Sequence, residues 1–179
     1  VLIEEVARAN TSGLGFGLHN DIVAPYIESY GSDHLKKKYL PPMATGEKIG
    51  AIAMTEPGTG SDLQGVRTTA RRDGDHYVIN GSKTFITNGY HADLVIVVCK
   101  TDVNAGAKGV SLIIVDAGTP GFRKGTRLKK VGLKSQDTSE LFFDDVRVPA
   151  DNMLGKEGEG FVYLLQKLPW KGLQDAIHA

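Results

Sequence analysis

The feature that most constrains the fold is a change of pattern near Ile49. Before this point apolar residues recur at helical spacing, as in Ile22, Tyr26, Ile27 and Tyr30. After it glycines and β-branched residues multiply, and short apolar runs alternate with dipeptides that form turns. The chain is therefore predicted to form helices first, then a series of short strands, and then another helix.

Turn signals divide the middle of the chain into strands. Asp73-Gly74 and Asn80-Gly81 favour the primed turns that join twisted antiparallel strands, so each dipeptide predicts a hairpin. Residues 94–99 and 110–115 are almost entirely apolar, which is typical of central strands buried on both faces. The predicted strands are residues 66–72, 76–79, 82–87, 94–99, 110–115, 140–143 and 146–148.

Helical segments flank this region. Ser32 is predicted to cap a helix over residues 33–40 that Pro41-Pro42 ends. After the strands, apolar residues at i, i+3, i+4 and i+7 predict one buried helix, and they are Phe161, Leu164, Leu165 and Leu168. The predicted fold class is α+β. An antiparallel β-barrel or sandwich domain (residues 49–153) lies between two partial helical domains (residues 1–48 and 154–179).

Composition excludes several classes of protein. Lys+Arg and Asp+Glu both number 21, so no overall basic charge favours binding of nucleic acid. Cys99 is the single cysteine, which rules out an internal disulfide and favours a reducing compartment. No apolar run is as long as a transmembrane helix, and the five histidines lack the spacing of a metal site. The first residue is Val1, so we expect a chain cut from a longer polypeptide that could carry a targeting segment.

The segment of residues 52–63 is the strongest candidate for chemistry. Pro57-Gly58 and Thr59-Gly60 favour a turn, and the glycines would let backbone N–H groups converge on an anion. The alternative is an ordinary glycine turn. The local pattern by itself favours that alternative, because glycine-rich turns are common.

The complete string resembles the signature of the acyl-CoA dehydrogenase family, Thr-Glu-Pro-Gly-x-Gly-Ser-Asp, here residues 55–62. Three further segments, residues 80–89, 128–146 and 148–155, are similar to the family in the same order. Within the family the likeness is greatest to long-chain members. Residues 51–63, 140–147 and 166–169 carry that likeness.

The resemblance implies a set of site residues. FAD would contact Ile52, Ala53, Met54, Thr55, Glu56, Pro57, Gly58, Thr59, Gly60, Ser61, Phe85, Ile86 and Thr87. The acyl-CoA substrate would contact Ser61, Ala107 and Lys108. Without the resemblance, Phe85 and Ile86 would be ordinary strand residues, and Lys108 would be a solvated loop lysine.

The resemblance also implies a reaction, the FAD-dependent α,β-dehydrogenation of acyl-CoA thioesters in fatty acid β-oxidation. Electron-transfer flavoprotein would be the electron acceptor, and the full-length protein would form a homotetramer. It would act in the mitochondrial matrix of a eukaryote or in the cytoplasm of a bacterium. Two alternatives remain: an acyl-CoA oxidase of the same superfamily, and a non-catalytic protein that binds flavin or CoA.

The residue expected to act as base is missing. In one subgroup of the family a glutamate and an arginine follow Leu-Pro-x, whereas Leu168-Pro169-Trp170 precedes Lys171-Gly172 here. A lysine cation cannot accept a proton. Another subgroup places its glutamate in the C-terminal helical domain, most of which is expected to lie outside residues 1–179. No catalytic residue is therefore predicted, and this chain is expected to be inactive. Gly172 is also predicted to interrupt the helix that begins near Phe161.

Overall fold

The computed structural model describes residues 2–9 and 16–178. Its N-terminal part consists of α1 Leu2–Arg8, α2 Phe16–Leu18, a π-helical turn His19–Val23, α3 Ala24–Tyr30 and α4 Asp33–Ala44. Ser32 caps α4 as predicted, because its Oγ accepts a hydrogen bond from the Leu35 N–H at 3.3 Å.

The end predicted for α4 is wrong. The helix continues through Pro41 and Pro42 to Ala44. Each proline removes an N–H donor, but its fixed φ is compatible with a helix near the C-terminal end. The Thr45 N–H donates to the Pro41 carbonyl at 3.1 Å and completes the last turn.

A seven-stranded sheet forms the middle of the molecule. Its strands are β1 Gly50–Ala53, β2 Thr69–Asp73, β3 His76–Thr87, β4 Leu94–Lys100, β5 Val110–Asp116, β6 Phe122–Arg127 and β7 Thr138–Pro149. The spatial order is β1-β4-β2-β3-β7-β6, and β5 pairs with β4. The α+β class is therefore confirmed. Strand β6, which is rich in basic residues, was not among the predicted strands.

The sheet is mixed rather than wholly antiparallel, since β1 and β2 both run parallel to β4. The two strands lie along β4 one after the other: Ala53 pairs with Val97, and Thr69 pairs with Lys100. Strand β3 is one long strand that runs antiparallel to β2. Just after its end, Asn88 contacts Gly50 at the start of β1, so β4 begins beside the start of β1.

One of the two predicted hairpin turns is confirmed and the other is wrong. Asp73 pairs with His76 across a tight turn in which Gly74 has φ +61°. Asn80-Gly81, in contrast, lies inside β3, where a bulge shifts the pairing with β7. Gly81 has φ +150°, and a Cβ there would come within 2.5 Å of the Thr68 Oγ1. The dipeptide therefore forms a bulge against Thr68 instead of a turn.

Two apolar clusters occupy the two faces of β4 and β5. The face toward the N-terminal helices carries Ile96, Val98, Leu112 and Ile114. The opposite face carries Val95, Val97, Ile113 and Val115. Burial on both faces explains why these two strands have no polar alternation.

The final helix, α5 Gly160–His178, packs on the first cluster through Tyr163 and Leu164. It continues through Gly172, so the predicted interruption is wrong. Leu165 and Leu168 remain half-exposed rather than fully buried. Among the described helices, none is both long and apolar enough to cross a bilayer.

Candidate flavin and acyl thioester site

The two segments predicted to form the site lie side by side. The Thr84 N–H donates to the Thr55 carbonyl at 2.9 Å, which joins the end of β1 to β3. Farther along β3, the Asn88 Nδ2 donates to the Gly50 carbonyl at 3.4 Å. These two bonds set β3 beside β1, with Phe85 next to the Met54–Thr55 segment and Thr87 toward the start of β1.

Residues 56–61 form an open loop, which we call the glycine turn. Glu56 and Thr59 exchange backbone hydrogen bonds of 2.9 and 3.1 Å, so their N–H groups are not available to an anion. No described hydrogen bond uses the N–H groups of Gly58, Gly60 or Ser61. A Cβ on Gly58 or Gly60 would meet no described atom within 4 Å, so packing within the chain does not require glycine there. Glycine at an open position lets an external group approach the backbone closely.

A buried ion pair lies beneath the glycine turn. Lys83 Nζ donates to Glu56 Oε1 at 2.9 Å and to the Met54 carbonyl at 3.1 Å. The Lys83 side chain is 0% exposed and the Glu56 side chain 6% exposed. Glu56 also accepts from the N–H groups of Arg67 at 2.6 Å and Thr68 at 2.9 Å.

Burial and hydrogen bonding act in opposite directions on this pair. Burial alone would raise the pKa of Glu56, but hydrogen bonds from Thr68 and Lys83 outweigh it and hold this pKa below its usual value. Burial lowers the pKa of Lys83, and the adjacent Glu56 carboxylate partly offsets that effect. The carboxylate is thus kept ionised, and its three described hydrogen bonds, from Arg67, Thr68 and Lys83, hold it in the interior.

Phe85 is the most strained apolar residue beside the glycine turn. Its backbone is left-handed (φ +58°), and its side chain is 66% exposed. The pairing of β3 with β7 is interrupted between Lys83 and Ile86, and this irregularity turns Phe85 outward. A bulky residue in this region costs on the order of 1–3 kcal/mol, and such residues concentrate at ligand sites.

The structure separates the predicted contact residues by exposure. Outward or half-buried positions are Met54, Thr55, Pro57, Gly58, Thr59, Gly60, Ser61, Phe85 and Thr87. Inward positions are Ile52, Ala53, Glu56 and Ile86. Residues of the second set could offer a ligand only backbone groups. The sequence signature did not distinguish the two sets, because it names residue types and not the direction of side chains.

An apolar groove that encloses about 60 Å³ opens next to Met54. It runs between the π-helical turn and α5, and its lining residues include Ile22, Tyr26, Leu63, Phe161, Leu164, Leu165 and Leu168. Asp21 and Lys167 are its charged lining residues, and burial raises the pKa of the Asp21 carboxyl. The groove offers an apolar surface close to Met54.

The predicted CoA contacts lie in a second loop near the glycine turn. Ala107 and Lys108 belong to a 3₁₀ turn, Gly106–Gly109, which packs on another 3₁₀ turn, Leu63–Gly65. Lys108 is exposed, and no described ion pair involves it. Its ammonium group could reach a phosphate as a point charge.

Comparison with known proteins identifies the family. The profile described as "Acyl-CoA dehydrogenase, middle domain" matches residues 51–146, and "Acyl-CoA dehydrogenase, N-terminal domain" matches residues 1–47. The chain belongs to the acyl-CoA dehydrogenase family.

Relatives in this family are similar over nearly the whole chain. The mitochondrial long-chain specific acyl-CoA dehydrogenase of Sus scrofa is 55% identical over 97% of this chain and 41% of the relative. The acyl-CoA dehydrogenase structure from Geobacillus kaustophilus is 57% identical, with a TM-score of 0.96, covering 99% of this chain and 47% of that one. A structure titled FAD-dependent dehydrogenase is 36% identical, with a TM-score of 0.93, covering 98% and 48%. This chain thus spans less than half the length of these relatives.

The candidate site fits FAD in its chemical character. A flavin ring has apolar faces and a polar edge. Phe85 presents an exposed aromatic surface, and the hydroxyls of Thr55 and Thr87 make no described hydrogen bond. The unpaired N–H groups of the glycine turn suit the polar edge or a phosphate.

The expected position of the base, residue 171, lies in the second half of α5. Residue 171 has a helical backbone, but its side chain lies outside the described part of the structure. The prediction that Lys171 replaces the base therefore stays a prediction. Within the described residues, no group of three or more His, Cys, Asp or Glu could hold a metal ion.

Proposed function

We propose that the protein containing this chain has the binding site of a FAD-dependent acyl-CoA dehydrogenase of fatty acid β-oxidation, and that Lys171 deprives it of the base that the reaction needs. One observation carries the proposal: the Met54–Thr55 segment, which leads into the open glycine turn, lies beside the exposed Phe85, and Met54 also lines an apolar groove. The proposed site thus combines an exposed aromatic side chain for a flat ring, unpaired polar groups and an apolar surface for a hydrocarbon chain.

Different residues of the chain would contact different parts of FAD and the acyl-CoA. The backbone of Met54 and Thr55 would meet the polar edge of the ring, and Phe85 would shield one face. The groove would hold the acyl chain, and Lys108 would attract a CoA phosphate. Bound flavin would supply the acceptor for the β hydride, while a carboxylate removes the α proton.

The expected base at position 171 is replaced by lysine, which at neutral pH has no lone pair to accept a proton. We therefore propose that this chain keeps the residues that would contact FAD and acyl-CoA but does not carry out the dehydrogenation. Lys171 is also the observation that favours the second candidate, a non-catalytic flavin- or CoA-binding protein.

Further proposals concern partners and location. Electron-transfer flavoprotein is the proposed acceptor, the full-length protein is proposed to be a homo-oligomer, and the proposed compartment is the mitochondrial matrix in a eukaryote or the cytoplasm in a bacterium. Relatives named as mitochondrial, such as that of Sus scrofa, support the first location. Relatives named as dehydrogenases favour this activity over that of an oxidase.

The test uses the full-length protein purified with added FAD. We expect flavin absorbance near one equivalent and no bleaching with a long-chain acyl-CoA under anaerobic conditions. The variant with both Lys171→Glu and Gly172→Arg should bleach, and it should then reduce electron-transfer flavoprotein rather than consume oxygen. Absence of flavin from the parent would contradict the proposal. Bleaching by the parent would show that another residue acts as base.

A further inference from the structure

The buried pair of Glu56 and Lys83 connects three separate segments of the proposed site. Lys83 lies on β3, Glu56 begins the glycine turn, and Arg67 and Thr68 lead into β2. Hydrogen bonds accepted by the Glu56 carboxylate and donated by the Lys83 ammonium therefore join positions that are up to 29 residues apart in the chain.

Stability by itself is a poor reason for this arrangement. Two charges removed from water lose hydration, and well-packed apolar residues of similar volume are often as stable or more stable. Unlike apolar side chains, the two ions form directional hydrogen bonds that fix the positions of particular backbone groups. The Lys83 ammonium holds the Met54 carbonyl at 3.1 Å, and the Glu56 carboxylate holds two backbone N–H groups.

These directional bonds act on the parts of the chain that would touch the flavin. Met54 is held from behind by Lys83, and the glycine turn begins at Glu56. Phe85, with its left-handed backbone, follows two residues after Lys83, so the anchored ammonium fixes the strand on one side of the strained position. Both walls of the proposed ring site are thus tied to one ion pair.

We propose that Glu56 and Lys83 are positioning residues that set the spacing between the glycine turn and Phe85–Thr87, and so determine the affinity of the flavin site. The proposal rests on the proposed function, because it concerns the same site. Neither side chain touches the ligand, since both are buried behind the surface that the ligand would meet.

The decisive variant, made in the full-length protein, replaces both ions by apolar residues, Glu56→Leu with Lys83→Met. We expect its thermal midpoint to fall, because the Arg67 and Thr68 N–H groups and the Met54 carbonyl lose their hydrogen-bond partners, so FAD binding is measured at a temperature at which the variant is folded. Its FAD dissociation constant should rise by about tenfold or more, as on loss of a charge-assisted hydrogen bond. The flavin absorption band should also shift, because the ring would lie in an altered polar environment.

Lys38→Met is the matched control. It breaks a 3.0 Å pair with Asp116, a residue outside the proposed site, and should leave both readouts unchanged.

A folded double variant that binds FAD with the parent's affinity and spectrum would overturn the inference. If the double variant does not fold, the nearly isosteric Glu56→Gln variant decides: weakened binding with a shifted band supports the inference, and unchanged binding overturns it. A parent without flavin would overturn the proposed function, and this inference with it. A parent that binds FAD beside a variant that binds equally well defeats the inference alone.

Discussion

Phe85 and Leu133 form a matched pair of residues. Both have left-handed backbones, with φ +58° and +46°, and both side chains are 66% exposed. Phe85 borders the glycine turn, whereas Leu133 lies in the loop between β6 and β7. The same local strain therefore occurs once inside the proposed site and once outside it, and this allows strain to be separated from function.

Replacing either residue by glycine should relieve strain. Because little apolar surface is lost, the free energy of unfolding should rise by about 0.5–1 kcal/mol in Phe85→Gly and in Leu133→Gly. Only Phe85→Gly should weaken FAD binding, since only Phe85 faces the ring site. Chemical denaturation and flavin titration of both variants check this. Equal loss of flavin in Leu133→Gly would contradict the assigned role of Phe85.

Glu56 should make the free energy of unfolding depend on pH in the acidic range. Its pKa in the folded state lies below the ordinary value of 4.5, so the folded state binds its proton less readily than the unfolded state. The resulting stability is present above the ordinary pKa and is lost as pH falls through the folded pKa. Glu56→Gln should therefore flatten the decline in the free energy of unfolding below about pH 4.5, measured by urea denaturation at several pH values. An unchanged slope would show that Glu56 does not titrate in this way.

At the scale of elements, α5 begins in direct contact with the backbone of β5. A Cβ on Gly160 would come within 2.8 Å of the Ser111 Cα and 2.9 Å of the Val110 carbonyl oxygen. Backbone atoms cannot move aside as a side chain can, so the helix could lie this close only with glycine. This contact sets the position of α5, and with it one wall of the apolar groove.

Two glycine-to-alanine changes in α5 should have opposite effects. Gly160→Ala should lower the free energy of unfolding by about 1–3 kcal/mol through overpacking against β5. Gly172→Ala should raise it by about 0.5–1 kcal/mol, because alanine favours helix and no described atom lies within 4 Å of the new methyl group. Thermal unfolding measures both. A neutral Gly160→Ala variant would mean that α5 can move away from β5 without cost.

At the scale of the whole molecule, the chain spans 41% of its Sus scrofa relative and 47% of the Geobacillus kaustophilus structure. The apolar groove and the glycine turn both open on the surface of this chain. Flavin bound to residues 1–179 alone would keep much of its surface in water, so affinity should be lower than in the full-length protein.

The rate of acyl-CoA oxidation should depend on whether the full-length protein is present and on which residue occupies position 171. Residues 1–179 alone should retain little FAD and should not oxidise acyl-CoA. In the full-length protein, Lys171→Glu with Gly172→Arg should raise the rate of flavin reduction by roughly 10²–10⁴-fold, the usual contribution of a general base. Stopped-flow absorbance under anaerobic conditions measures this rate, and Lys171→Gln with Gly172→Arg is the control without a base. Equal rates in the two variants would place the base elsewhere.

Local sequence determined the features whose physics is local. Ser32 caps α4 because a hydroxyl at a helix start accepts a free N–H, and Asp73-Gly74 forms a hairpin because glycine accepts a positive φ. The apolar runs of β4 and β5 predicted burial on both faces. Resemblance to a family, rather than periodicity, predicted which two segments would meet at the site.

Tertiary structure decided what depends on distant partners. Periodicity does not show in which direction a strand runs. The parallel pairing of β1 with β4 depends on β3, which runs antiparallel to β2 and brings the chain back to the start of β1. Asn80-Gly81 became a bulge rather than a turn because Thr68 and β7 lie against it. Glu56 turned inward because Lys83, 27 residues away, supplies the ammonium that compensates its burial. Long-range contacts select among conformations that local sequence permits, and in this protein they decide which of the predicted site residues are buried and which are exposed.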